Sequence, residues 1–348
     1  MNRKKLYNTI IPYLTMGKVS RQRRMGRTVF IILSVILILV STSFILNAEN
    51  KSKPEMVVQM GHTEHVYSFV FSPDGKYGLS GSGDKTMKLW DIEKGKEIRT
   101  FTGHTYHVKV GAFSPDGKYV LSGSYDRTMK LWDIATGKEI RTFTGHKNLV
   151  YLVSFSPDGK YAFSVSQDNT MRLWDIKTGK EIRTLYEKSD VHSIAFSPDG
   201  KYILSGSNDK TMKLWDAASG KEIRTFIGHS NTVNSVSFSP DGKYALSGSY
   251  DYTIKLWDAA SGKEIRTFNG YTTPVISAAF SPDGKYVLSV ADNSTIKLWD
   301  VASGKEIRTF TGHVFNVYSV AFAMDEKYAL LGSFFDANVE TWDIASGK

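Results

Sequence analysis

Seven Trp-Asp pairs recur along this chain, with Trp90, Trp132, Trp174, Trp215, Trp257, Trp299 and Trp342 spaced 42, 42, 41, 42, 42 and 43 residues apart. A period this regular means that one supersecondary unit is used over and over, each copy burying its apolar face against its neighbours. The unit Gly103–Asp133 shows what one copy folds into. Ser114-Pro115-Asp116-Gly117 is a hairpin turn, because Pro presets φ and Gly accepts a positive φ. Ser124-Tyr125-Asp126 makes a second turn, and Ala135-Thr136-Gly137-Lys138 a third. The runs between them are short and rich in Val, Phe, Tyr and Leu, and Glu139–Phe143 follows as the last. They read as strands. Four antiparallel strands in 42 residues make one blade of a β-propeller.

Gly-His pairs at Gly61-His62, Gly103-His104, Gly145-His146, Gly228-His229 and Gly312-His313 accompany the Trp-Asp pairs. With both landmarks at this spacing, residues 55–348 resemble the WD-repeat family, to which the β subunits of heterotrimeric G proteins belong. The expected fold is all-β: a seven-bladed propeller of four-stranded antiparallel blades. Its closure is expected from the N-terminal side. The last Trp-Asp is followed only by Ile344–Lys348, too short for a fourth strand, whereas Glu55–Met60 stands where each other repeat carries one. That N-terminal strand should complete the last blade and cover an edge that would otherwise stay exposed.

Full repeats carry a His after Gly, a Ser ten residues before the Trp and an Asp six before it. The sets are His62/Ser80/Asp84/Trp90, His104/Ser122/Asp126/Trp132, His146/Ser164/Asp168/Trp174 and His229/Ser247/Asp251/Trp257. Ser, His and Asp together are the material of a hydrolase. An enzyme needs one active site, however, and four intact copies read as scaffold. The family resemblance implies hydrogen-bonded structural tetrads, which fix one geometry when every member is satisfied. Three blades depart from the pattern. In the fourth, Thr184–Lys188 replaces the Gly-His; in the sixth, Tyr271 stands for His and Asn293 for Asp; in the seventh, Leu331 stands for Ser and Phe334-Phe335 carries an extra residue.

Charge and cysteine usage narrow the function. The formal net charge is +9, but residues 1–48 hold eight basic residues and no acidic one. The remaining 36 basic against 35 acidic residues leave residues 49–348 at +1, with no general attraction for phosphate backbones, so no nucleic-acid partner is expected. The absence of Cys removes disulfides and thiolate chemistry. Neither a cofactor nor an obligate metal is expected.

Residues 28–48 are uncharged and mostly apolar, and as a helix they would extend about 31 Å, the thickness of a hydrocarbon core. The expected organisation is a basic cytoplasmic tail over 1–27, a transmembrane helix or uncleaved signal anchor over 28–48, a linker over 49–54 and the propeller over 55–348. The excess of basic residues before the span predicts a single-pass protein with its N-terminus cytoplasmic and its propeller outside. Cleavage after Ser41-Thr42-Ser43 would make it secreted, although the length of the apolar run favours an anchor.

The repeats differ in the loops after Gly-His and in the turns around the tetrad Asp, that is, on one end of the ring. The resemblance implies partner contacts there, at the residue before the tetrad Asp and at those flanking the Val that opens each blade. Tyr67, Lys109, Tyr125, Tyr151, His192 and Tyr250 fall on these positions. Aromatics concentrate on blades five to seven: Tyr250, Tyr252, Tyr271, Phe315, Tyr318, Phe334 and Phe335. Grouped exposed aromatics mark binding hot spots, although Tyr271, Phe334 and Phe335 would equally fill gaps left by broken tetrads. The expected function is a non-catalytic scaffold, membrane-tethered through residues 28–48, holding protein or peptide partners on this top face. The alternatives are a small-ligand or hydrolytic propeller using its central channel, and a structural or adhesive surface protein.

Overall fold

The computed structural model describes residues 61–92, 94–310, 317–322, 328–333 and 339–343. The expected tail, apolar span, linker and closing strand, all within residues 1–60, lie outside the described residues, and closure of the ring lies there with them. The described residues form seven antiparallel sheets and no helix. Six sheets have four strands each; the seventh shows Val317–Phe322, Tyr328–Ser333 and Val339–Asp343. In the second blade Val108–Phe113, Tyr119–Ser124, Met129–Asp133 and Glu139–Phe143 lie side by side in chain order. The first strand of each blade packs on the first strand of the next, so these seven strands are the inner ones and the Glu139–Phe143 type is outermost.

The local chemistry of the turns explains the repeated sequence. In Ser114-Pro115-Asp116-Gly117 the Ser114 hydroxyl donates to Asp116 Oδ1 at 2.6 Å, Tyr119 N–H donates to Ser114 Oγ at 2.9 Å, and Gly117 has φ 68°. Six turns of this kind close the first hairpins. They satisfy their own polar groups, as a surface turn must.

The core lies between blades. Phe101, at the outer end of blade one, meets Trp132 of blade two at 5.7 Å between ring centroids. Phe143 meets Trp174, Phe226 meets Trp257 and Phe268 meets Trp299 at the same 5.7 Å. Each such aromatic pair contributes about 0.5–1.5 kcal/mol beyond its buried area. Gly123 permits this approach: a Cβ there would lie 2.8 Å from Val110 Cγ1 and 3.0 Å from Val150 Cγ1 of the following blade.

The repeated GKEIRTF run fastens the same junctions at their rim. Arg99 donates from Nη1 to the Thr136 carbonyl at 3.0 Å and from Nη2 to the Ala135 carbonyl at 2.9 Å, one blade further on. Arg141 does the same to Thr178 and Lys177, Arg224 to Ser261 and Ala260, and Arg266 to Ser303 and Ala302. In blades one, two, five and six a lysine of the third strand bridges to the fourth, and in blade three Arg172 does so. Lys130 Nζ donates to Glu139 Oε2 and Thr142 Oγ1, both at 2.8 Å.

Every blade contains bulges. In the inner pair the register passes from Val66↔Ser82 to Ser68↔Gly81 and so skips Tyr67. The same skip occurs at Lys109, Tyr151, His192, Asn234, Ile276 and Tyr318. A bulge re-aims a side chain away from the regular alternation of the strand. These seven residues therefore occupy one rung, near the top end of the inner strands.

Candidate interaction surface

The tetrads close on themselves. Trp90 Nε1–H donates to Ser80 Oγ at 2.8 Å, and Ser80 Oγ lies 2.7 Å from His62 Nε2. His62 Nδ1 lies 2.7 Å from Asp84 Oδ2. Because the indole can only donate, the hydroxyl passes its proton toward Nε2, and Nδ1–H donates to the carboxylate. The same relay runs through His104, Ser122, Asp126 and Trp132, through His146, Ser164, Asp168 and Trp174, and through His229, Ser247, Asp251 and Trp257.

Burial lowers the pKa of His62 and His146, outweighing their Asp partners, so both rings stay neutral. Burial alone would raise Asp168, but hydrogen bonds from Thr170, Lys147 N–H and His146 bring it down to about 2. Ser80, Ser122, Ser164 and Ser247 have no exposed surface. A nucleophile needs access to substrate, and these fully buried serines have none.

The departing blades solve the same problem with other residues. In blade six the Tyr271 hydroxyl lies 2.7 Å from Ser289 Oγ, which also accepts from Trp299 Nε1 at 2.7 Å. Tyr271 is 8% exposed, and burial raises its pKa. Its expectation as a partner contact is corrected: it fills the histidine's place inside the blade. In blade four Trp215 Nε1 still donates to Ser205 Oγ at 2.8 Å. There the buried Glu187 pairs with Lys213, which also reaches Asp209 at 2.9 Å.

The inner rung is where the blades stop resembling one another. Tyr151 and His192 are buried at 2% and 4% exposure, so neither presents a contact surface of the kind expected. His192 Nε2 lies 2.7 Å from Asn208 Oδ1, whose amide in turn donates to Asp190 at 3.1 Å; His192 Nδ1 has no partner. Lys109 is 7% exposed, and its Nζ sits 4.4 Å from the centroid of the Tyr67 ring. Desolvation lowers its pKa to about 8, with no carboxylate opposing the shift.

Blades one and two carry an aromatic ladder. The Tyr67 and Tyr125 rings stack at 6.3 Å and 19°, and Tyr125 stacks on Tyr106 at 6.2 Å and 18°. His107 meets all three edgewise and is held by a 2.7 Å bond from Nδ1 to the Gly83 carbonyl. Tyr106 is half exposed. The family positions do not include it, so the sequence reading missed it. Its signal was its place in the varied loop after Gly103-His104.

The sector expected on blades five to seven gathers no such cluster among the described residues. Tyr250 packs partly buried against the core of blades six and seven, and Tyr252 is exposed at the tip of its turn with φ 72°. Phe315, Phe334 and Phe335 lie outside the described residues, and of Tyr318 only the strand position is described. Among the described residues no group of three or more His, Asp or Glu is placed to hold a metal.

A family profile described as "WD domain, G-beta repeat" matches residues 53–91, 95–133, 137–175, 179–216, 220–258, 262–300 and 304–343. Curated relatives include the ribosome biogenesis protein BOP1 homologs of Drosophila willistoni, Drosophila erecta and Drosophila melanogaster, each 50% identical over 46 residues. That segment is 13% of this chain and 6% of each relative. These findings correct the expected localisation as a single-pass protein with its propeller outside. The relatives are ribosome biogenesis proteins. No helix among the described residues is long and apolar enough to cross a membrane, and the stretch 28–48 on which the expectation rested is not among them.

Proposed function

Because the chain belongs to the WD-repeat family, we propose that it is a protein-interaction scaffold whose partner seats on the top face of blades one and two. The observation that carries this reading is the ladder of Tyr67, Tyr125 and Tyr106, running from the inner rung out to a half-exposed ring. Tyr supplies large contact area at low entropic cost and a hydroxyl that accepts or donates, which is why it concentrates in hot spots. The His107 bond to Gly83 joins the two blades under the ladder, so its rungs are ordered before a partner arrives. Pre-ordering lowers the entropic cost of association.

The tetrads belong to the frame beneath this surface. The relatives' role in ribosome biogenesis remains theirs, since the match spans about one repeat.

Photo-crosslinking in the native cell tests the reading. A benzoylphenylalanine replacing Tyr106 should capture discrete protein adducts, and one replacing Ile98, exposed on an outermost strand, should not. Adducts from position 98 with none from position 106 would remove the top face from the account.

A further inference from the structure

We propose that the partner inserts an acidic side chain, Asp or Glu within a peptide segment, into the mouth of the inner rung, where its carboxylate pairs with Lys109. The proposal rests on the top-face reading above and specifies the chemistry of what binds there.

Lys109 is a buried cation that no acid neutralises. Its ammonium makes no ion pair or hydrogen bond among the described residues, and it sits 4.4 Å from the centroid of the Tyr67 ring. The other lysines of low exposure are paired: Lys88 with Glu97, Lys130 with Glu139 and Lys297 with Glu306. Glu64, in the loop before the first strand of blade one, is drawn toward His107 at 3.8 Å. Folding with an uncompensated buried charge costs stability. A ligand carboxylate would recover that cost on binding, in a setting where a charge-assisted hydrogen bond is strong.

The ligand's sign follows from the ring. The ammonium already occupies a face of Tyr67, so the ladder is not waiting for a cation there. One ammonium suits a monoanion. A phosphate dianion is met by clustered Arg or Lys, and the rung offers a single cation: its described members are Tyr67, Lys109, Tyr151, His192, Asn234 and Ile276.

The ladder leads outward from Lys109 through Tyr125 to Tyr106, a track for the residues that flank the acid.

A displayed library of random peptides, selected on the full chain, tests this directly, with affinities then read by fluorescence anisotropy. The selected peptides should share an Asp or Glu at a fixed position. Lys109→Met should weaken them about tenfold or more, a loss typical of a desolvated charge pair, and Lys109→Arg should restore part of it. Changing the peptide's acid to its amide should cost the same on the wild type and nothing further on Lys109→Met. Tyr125→Ala separates the two levels of the argument. If it abolishes binding while Lys109→Met does not, or if no acid is selected, the acidic partner is refuted and the top face stands. If neither variant matters, or nothing is selected, both fall.

Discussion

Each complete blade carries two bulges, and they behave in opposite ways. The outer one, between the third and fourth strands, skips Ile98, Ile140, Ile182, Ile223, Ile265 and Ile307, the same residue every time and always 41–48% exposed. The inner one skips Tyr67, Lys109, Tyr151, His192, Asn234, Ile276 and Tyr318, and the residue type changes at every step from blade one to blade seven. The outer bulge lies beside the arginine that grips the next blade and the lysine–glutamate–threonine bridge. The arginine grip recurs at Arg99, Arg141, Arg224 and Arg266, and the lysine bridge at Lys88, Lys130, Lys255 and Lys297, so one solution serves most junctions. The inner bulge faces no repeated neighbour: Tyr151, His192, Asn234 and Ile276 are buried there, with Asn234 donating to the Val275 carbonyl, whereas Tyr67 and Lys109 meet at the stacked rings of blades one and two. The repeated bulge serves the frame, and the varied one is where the proposed partner contact lies.

The largest effect should come from breaking the repeated frame. Trp132→Ala removes a buried indole, its contact with Phe101 and its bond to Ser122, and should cost about 3–5 kcal/mol in urea unfolding. Ser122→Ala keeps the indole and leaves Trp132 Nε1 and His104 Nε2 buried without their partner. It should cost about 1–3 kcal/mol in the same measurement.

The inner rung should respond with the opposite sign. Lys109→Met should stabilise the chain by about 2 kcal/mol at neutral pH, since it removes a buried charge without a counter-ion. The pH dependence follows. Folded Lys109 loses its proton at about 8, while the unfolded chain holds it to about 10.4. Between those values the unfolded state binds more protons, so wild-type stability rises with pH. Lys109→Met should remove that component from unfolding curves recorded between pH 7 and 10, and an unchanged slope would contradict a desolvated lysine.

Two smaller effects sharpen the contrast. Arg141→Met loses two exposed bonds to the carbonyls of Thr178 and Lys177, and should cost about 1 kcal/mol while leaving partner binding intact. Tyr106→Ala should change stability by less than about 0.5 kcal/mol, as exposed substitutions do, yet weaken binding in a pull-down of the crosslinked partner.

The fold was legible because its signals are local. Ser114-Pro115-Asp116-Gly117 writes its own turn, and the Trp-Asp period counts the blades. What escaped the sequence depends on contacts between blades. Nothing in Arg99 announces that it grips Ala135 and Thr136 a blade away. Tyr271 carried two readings, and only its placement against Ser289 decides for the interior. The preferred sector moved for the same reason. Counting aromatics along the chain favoured blades five to seven, but hot spots depend on which rings stack and stay reachable, and among the described residues those are Tyr67, Tyr106 and Tyr125. Localisation was read from the one stretch, 28–48, that no part of the propeller reports on.

The most direct test is amide hydrogen exchange on the full chain, alone and with the partner recovered through position 106. The account predicts slowed exchange in the loops around residues 105–109 and 125–127, with the outermost strands, such as Glu139–Phe143, unchanged. Protection confined to those outermost strands, with the loops of blades one and two exchanging as before, would contradict it.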